Sequence, residues 1–166
     1  MNVNKRGSII MSGAEIAEFV QRSRTLTLAT IGPGGFPHLT AMWFAVIGEE
    51  IWIETKARSQ KVVNLRRDSR SSILIDDGLT YDTLRGVSFE GRGIVVEDPA
   101  VLWQVGVNIY ERYSGTYSED VRPVVEALVH KRAAVRFEVE RVRSWDHRKM
   151  GLAEGVPGGS TARYLH

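Results

Sequence analysis

The stretch Thr55-Lys-Ala-Arg-Ser-Gln-Lys61 carries residue types that bind anions. It leaves an alternating run, Ile51 to Lys56, that reads as a strand. It enters a segment, 59–68, whose Val62, Val63 and Leu65 share one side of a short helix with Ser59 near the N-cap. Backbone N–H groups in the first turn of a helix have no intrahelical partner, and the dipole adds positive potential there. Ser59 contributes a hydroxyl and Lys61 an ammonium. A lysine in a first turn opposes the dipole, and an anionic ligand would remove that conflict; an ordinary surface lysine is the alternative reading.

Other chemistry-bearing residues are more scattered. His38 opens a strand-like run, and His130 closes a helical one, where it can simply favour the dipole. His147 lies in Ser144-Trp-Asp-His-Arg-Lys-Met-Gly151, the densest polar and aromatic cluster in the chain. That cluster suits either packing over the mouth of a barrel or stacking on a ligand. No His/Asp/Glu spacing makes a metal site, and no serine sits in a nucleophile-elbow context. Gly32-Pro-Gly-Gly-Phe-Pro37 lacks the following helix of a dinucleotide loop and reads as a hairpin turn. The absence of cysteine removes disulfides, thiolate metal sites and thiol catalysis, so redox chemistry would have to come from a cofactor, and it fits a cytoplasmic chain.

The 166 residues suit one domain. A composition 43% hydrophobic and 25% charged is that of a globular protein, and no apolar run reaches the length of a membrane span. Net charge is only +2, too little to argue for a nucleic-acid partner. The charge is unevenly spread. Residues 54–70 hold six basic against two acidic side chains, and residues 141–149 hold four against one. These are two solvated faces or the walls of an anion site.

The elements that must position these groups follow from periodicity. A flexible arm over 1–11 precedes Ser12-Gly-Ala-Glu15, a capping box opening a helix over 13–22. Thr25–Thr30, His38–Ile47 and Ile51–Lys56 alternate as an antiparallel meander. Ser72–Asp76, Val87–Val96 and Ala133–Val142 complete six strands, with Gly91 and Gly93 marking a bulge or bend. Helices are expected from Asp98-Pro99 to Tyr113 and from Glu119 to Lys131. The tail over 151–166 reads as mobile. Six strands joined mostly by hairpins, with inserted helices, suit a closed or nearly closed barrel that leaves few bare edges, over 12–150.

Arg24–Thr30, Gly-Phe-Pro-His-Leu-Thr-Ala-Met-Trp43, Ile-Trp-Ile-Glu-Thr55, Ser-Gln-Lys61-Val-Val-Asn-Leu-Arg-Arg-Asp68 and Ser-Ile-Leu-Ile-Asp76 resemble, in that order, the pyridoxamine 5′-phosphate oxidase-like proteins. The chain is most similar to their actinobacterial branch that uses the deazaflavin F420. The resemblance implies a mainly-β, six-stranded antiparallel split β-barrel of the FMN-binding type. It implies a homodimer with a cofactor site at each interface and a small-molecule substrate. F420 is the cofactor it implies first, and FMN is the alternative. The activity it implies is hydride transfer from the reduced deazaflavin to an unsaturated or electron-poor compound; an FMN oxidoreductase or a cofactor-sequestering protein are the rivals. By the same resemblance Ser59 and Lys61 meet the cofactor phosphate, with Thr55 beside them. Leu39, Thr40, Ala41 and Met42 line the ring system with Trp43 nearby, and Trp145, His147 and Lys149 approach from the C-terminal segment of one or other subunit. Gln60 stands where pyridoxamine oxidases usually carry arginine.

Overall fold

The structure, a computed structural model, describes residues 5–156 of the chain. A one-turn helix α1 (Lys5–Ser8) leads to α2 (Gly13–Arg22). The capping box at α2 is formed: the Glu15 N–H donates to Ser12 Oγ at 3.3 Å, and the Ser12 N–H donates to Glu15 Oε2 at 2.6 Å. Between the two helices the chain is tied to the sheet. The Asp146 N–H donates to the Ile9 carbonyl at 2.7 Å, the Met11 N–H donates to Ser144 Oγ at 3.0 Å, and Met11 is buried. The tail expected to be mobile falls mostly on residues 157–166, outside the described part.

Seven strands follow: β1 (Leu26–Ile31), β2 (Pro37–Met42), β3 (Ala45–Ile47), β4 (Glu50–Lys56), β5 (Arg70–Asp77), β6 (Arg85–Val96) and β7 (Arg132–Asp146). They form one antiparallel sheet in the order β2-β1-β5-β6-β7-β4-β3. The expected second strand, His38–Ile47, is therefore two. Its first half pairs with β1 and its second half with β4, at opposite edges of the sheet. Only Trp43 and Phe44 separate them, so the sheet must curl until its two edges meet. Phe44 at this seam is fully buried. The fold is a mainly-β split barrel with inserted helices.

Two apolar clusters hold it. One fills the barrel: Leu28, Phe44, Ile53, Ile73, Val87 and Val135 are among its members. The other lies on the outer face of β3, β4 and β7, where Trp52 and Ala134 pack against Val105 and Ile109 of α4 (Pro99–Tyr113). Asp98 caps α4 by accepting from the Ala100 and Val101 amides, with Pro99 at the first helical position. The expected helix over 119–131 is a 3-10 turn, Glu119–Val121, followed by α5 (Arg122–Val129); Pro123 lacks the N–H that would continue one helix through the junction. The last strand runs four residues beyond its expected end, so Trp145 is a strand residue.

The anticipated bulge is present. The β6–β7 register slips between Glu90 and Gly91, where Glu140 is the extra residue. The β7 backbone comes so close that a Cβ at Gly91 would lie 2.0 Å from the Glu138 carbonyl oxygen.

Candidate functional site

The end of β4, the following turn and α3 (Gln60–Arg67) bring Thr55, Ser59 and Lys61 together. Lys61 Nζ donates to Thr55 Oγ1 at 3.3 Å, and the Thr55 and Ser59 hydroxyls lie 3.4 Å apart. Ser59 is the N-cap of α3, but its side chain makes no capping bond. Its hydroxyl and the unpaired first-turn amides are therefore available to an anion. Gln60 is turned away: its Nε2 donates to Asn64 Oδ1 at 2.8 Å, and Asn64 in turn donates to Thr30 Oγ1 at 3.0 Å.

Beside this cradle opens a cleft of about 680 Å³ between the β4–α3 and α5–β7 connections. Lys56, Arg58, Lys131 and Arg132 line it with positive charge, beside the His130 imidazole. The two connections are joined by the Ala57 N–H donating to the Lys131 carbonyl at 3.0 Å. Burial, followed by the nearby charge of Arg132, lowers the Lys61 pKa. Arg132 Nε is paired with Glu54 Oε1 at 3.0 Å. Glu54 is only 6% exposed, and its Oε2 is buried without a partner. Burial raises its pKa to about 7, against the opposing pull of Arg132.

The two basic stretches behave differently. In 141–149 the cations are satisfied within the chain: Arg141 and Arg143 pair with Glu90, Arg148 with Asp146, and Lys149 with Glu15. That stretch is a solvated, internally paired face. In 54–70, Arg66 pairs with Glu97 and Arg70 with Asp68. Lys56, Arg58 and Lys61 have no carboxylate within ion-pair distance among the described residues, nor does Lys131 across the cleft.

The C-terminal candidates lie elsewhere. Ala133 of β7 is beside Thr55, whereas Trp145 is near the other end of that strand, beyond the bulge at Glu140. Trp145 packs over Gly86. His147 Nδ1 is 2.7 Å from the Tyr81 carbonyl, with its ring tilted against that tyrosine, and Lys149 Nζ donates to the Ile10 carbonyl at 2.8 Å. One chain therefore does not bring Trp145, His147 and Lys149 to the Lys61 cradle. On β2 the side chains divide. Thr40 and Met42 point inward, with Thr40 Oγ1 buried and unpartnered. Leu39, 62% exposed, and Ala41 point outward. Trp43 is 54% exposed and stacks on Tyr113, with ring centroids 4.4 Å apart and planes 6° from parallel.

Sequence reasoning missed Glu54, Lys131 and Arg132. A signal for Lys131 exists only in the backbone: it is the non-glycine residue with positive φ, +56°, among those described. Lys131→Gly is expected to stabilise the fold by about 1 kcal/mol by relieving that conformation, read from the urea midpoint; a lower midpoint would mean that the lysine side chain contributes more than the backbone strain costs.

A model of the pyridoxamine 5′-phosphate oxidase family matches residues 12–146. The chain belongs to this family. Its match covers the barrel and every element of the cradle. The conserved hypothetical protein Rv2991 from Mycobacterium tuberculosis is 62% identical, with 95% of this chain and 98% of that one covered and a TM-score of 0.90. At lower identity, the family fold is shared with the heme storage protein HutZ from Vibrio cholerae (21%, 81% and 96% covered, TM-score 0.64). It is shared also with an F420 reductase (23%, 75% and 93% covered, TM-score 0.59). No curated protein matches the sequence. Among the described residues, no helix is long and apolar enough to cross a membrane, and no three His, Cys, Asp or Glu side chains converge as a metal site.

Proposed function

We propose that this member of the family is an oxidoreductase that uses the deazaflavin F420, working as a homodimer on an electron-poor small molecule. The observation that carries the reading is the cradle of Thr55, Ser59 and Lys61: a partly desolvated ammonium with no carboxylate partner, at the open N-terminus of an eight-residue helix. A phosphate supplies the missing negative charge. When bound, the deazaflavin supplies the hydride. Lys61 and the Thr55 and Ser59 hydroxyls hold the phosphate end, and Arg58 and Lys56 extend the positive potential along the cleft. Gln60 is neutral and bonded to Asn64, so it offers no cationic side chain to an FMN phosphate, which favours F420 over FMN. The separation of Trp145 and His147 from the cradle suits a site completed by a second chain.

Titration of the cofactor-free protein with each compound tests this reading. F420 is expected to bind more tightly than FMN, and Lys61→Ala to weaken F420 binding by about 1–3 kcal/mol through loss of a charge-assisted contact. Much tighter FMN binding, or an unchanged Kd for Lys61→Ala, would overturn it.

A further inference from the structure

Glu54 has no role in the cradle as described, yet its placement is costly. A carboxylate buried with one oxygen unpartnered loses much of its solvation. Its surroundings explain the cost. Arg132, from β7, is the charged group that faces it, 3.0 Å from Oε1. On the α4 and α5 side the neighbourhood is Gly106, Val125 and Val129: a Cβ on Gly106 would lie 2.3 Å from Val129 and 3.8 Å from Glu54 Oε2. That side offers no charge and no hydrogen-bond donor to Oε2. From α3, Lys61 senses Arg132 electrostatically, and His130 and Lys131 line the cleft beyond it. The carboxyl thus sits behind the arginine, with the anion cleft in front.

We infer that Glu54 is a positioning residue that sets the anion affinity of the cleft, by fixing Arg132 and offsetting its charge. Ionised, it cancels much of the arginine's field. Protonated, it still fills the same space, and the full charge of Arg132 reaches the cleft and Lys61. Anion binding therefore tightens as the carboxyl takes up a proton, and bound anion in turn favours the protonated form. The burial-raised pKa of Glu54, about 7, puts this exchange near neutrality. The inference rests on the anion-binding part of the reading above and not on which cofactor carries the anion.

Sulfate is a suitable probe, because its own charge is constant near neutral pH. Its Kd would be followed by the backbone amide NMR shifts of Ala57 and Ser59 between about pH 5.5 and about pH 8.5. The wild-type protein is expected to bind sulfate about fivefold more tightly at the acid end. Glu54→Gln should hold the tighter value throughout, and His130→Asn should leave the step in place. In the wild-type protein, the carbon NMR titration of the Glu54 carboxyl should move to higher pH when sulfate is added. A step retained in Glu54→Gln, a step lost in His130→Asn, a Glu54 titration indifferent to sulfate, or no sulfate binding at any pH would each overturn the inference. A preserved, Glu54-dependent step in a protein that fails to bind F420 would remove the cofactor reading alone.

Discussion

Gly91→Ala is expected to destabilise the protein by roughly 3 kcal/mol or more, because its Cβ would make the closest approach of any glycine among the described residues. The added carbon would sit 2.0 Å from the Glu138 carbonyl oxygen, a backbone atom that no rotamer change can move. Relief requires the β6–β7 ladder to part at the bulge, where twelve residues of β6 rest against the longest strand of the sheet. Gly13→Ala is the matched control. Nothing lies within 4 Å of its Cβ position at the start of α2, and the change is expected to raise stability by up to about 1 kcal/mol. Urea unfolding of both variants reads the contrast; a Gly91→Ala midpoint equal to that of the wild type would show that the bulge gives way freely.

The second large effect is a pH dependence of stability that Glu54 imposes. Its pKa in the folded protein, about 7, lies above the ordinary value of 4.5. Between those values the folded chain keeps a proton that the unfolded chain has released. The stabilisation is therefore fully present below pH 4.5 and is lost as pH rises through 7. The loss amounts to about 3 kcal/mol at most. Glu54→Gln removes this dependence, so its stability relative to the wild type should climb with pH. Comparison above pH 5 keeps the opposite effect out of the measurement: Glu15 and Asp68, held near 2 chiefly by their hydrogen bonds to Lys149 and Arg70, lose stability only under stronger acid. Unfolding curves for the two proteins that shift in parallel from pH 5.5 to 8.5 would contradict the burial assigned to Glu54.

What could be read in advance was local. Ser12 and Glu15, or Asp98 and Pro99, act on amides within one turn, so a helix start is written in four residues. The Thr55–Ser59–Lys61 cradle was legible for the same reason, since a single strand-to-helix turn builds it. The Glu54–Arg132 pair was not. It depends on the β4–β7 register, which sets Lys56 opposite Arg132, a residue almost half the chain away. Alternation along β4 put Glu54 on the face with Trp52, and only the packing of α4 turns that outer face into an interior. The two readings of the basic run 141–149 could not be separated from the sequence for a related reason. Its charges were visible, but Glu15 and Glu90, which satisfy Lys149, Arg141 and Arg143, are far away in the chain. The division of His38–Ile47 into two strands likewise reflects two partners that its own periodicity cannot distinguish.

The seam at Trp43-Phe44 has a consequence for the order in which the protein folds. The hairpins on its two sides, β1–β2 and β3–β4, are each made from neighbouring residues and cost little loop entropy to form. The ladder that locks the second hairpin into the sheet joins Glu54 to Ala134, about eighty residues away. Phe44 gains its full burial only when both edges are in place. Ring closure is thus the step of highest contact order, and until β7 arrives the edge of β4 stays open to any other strand.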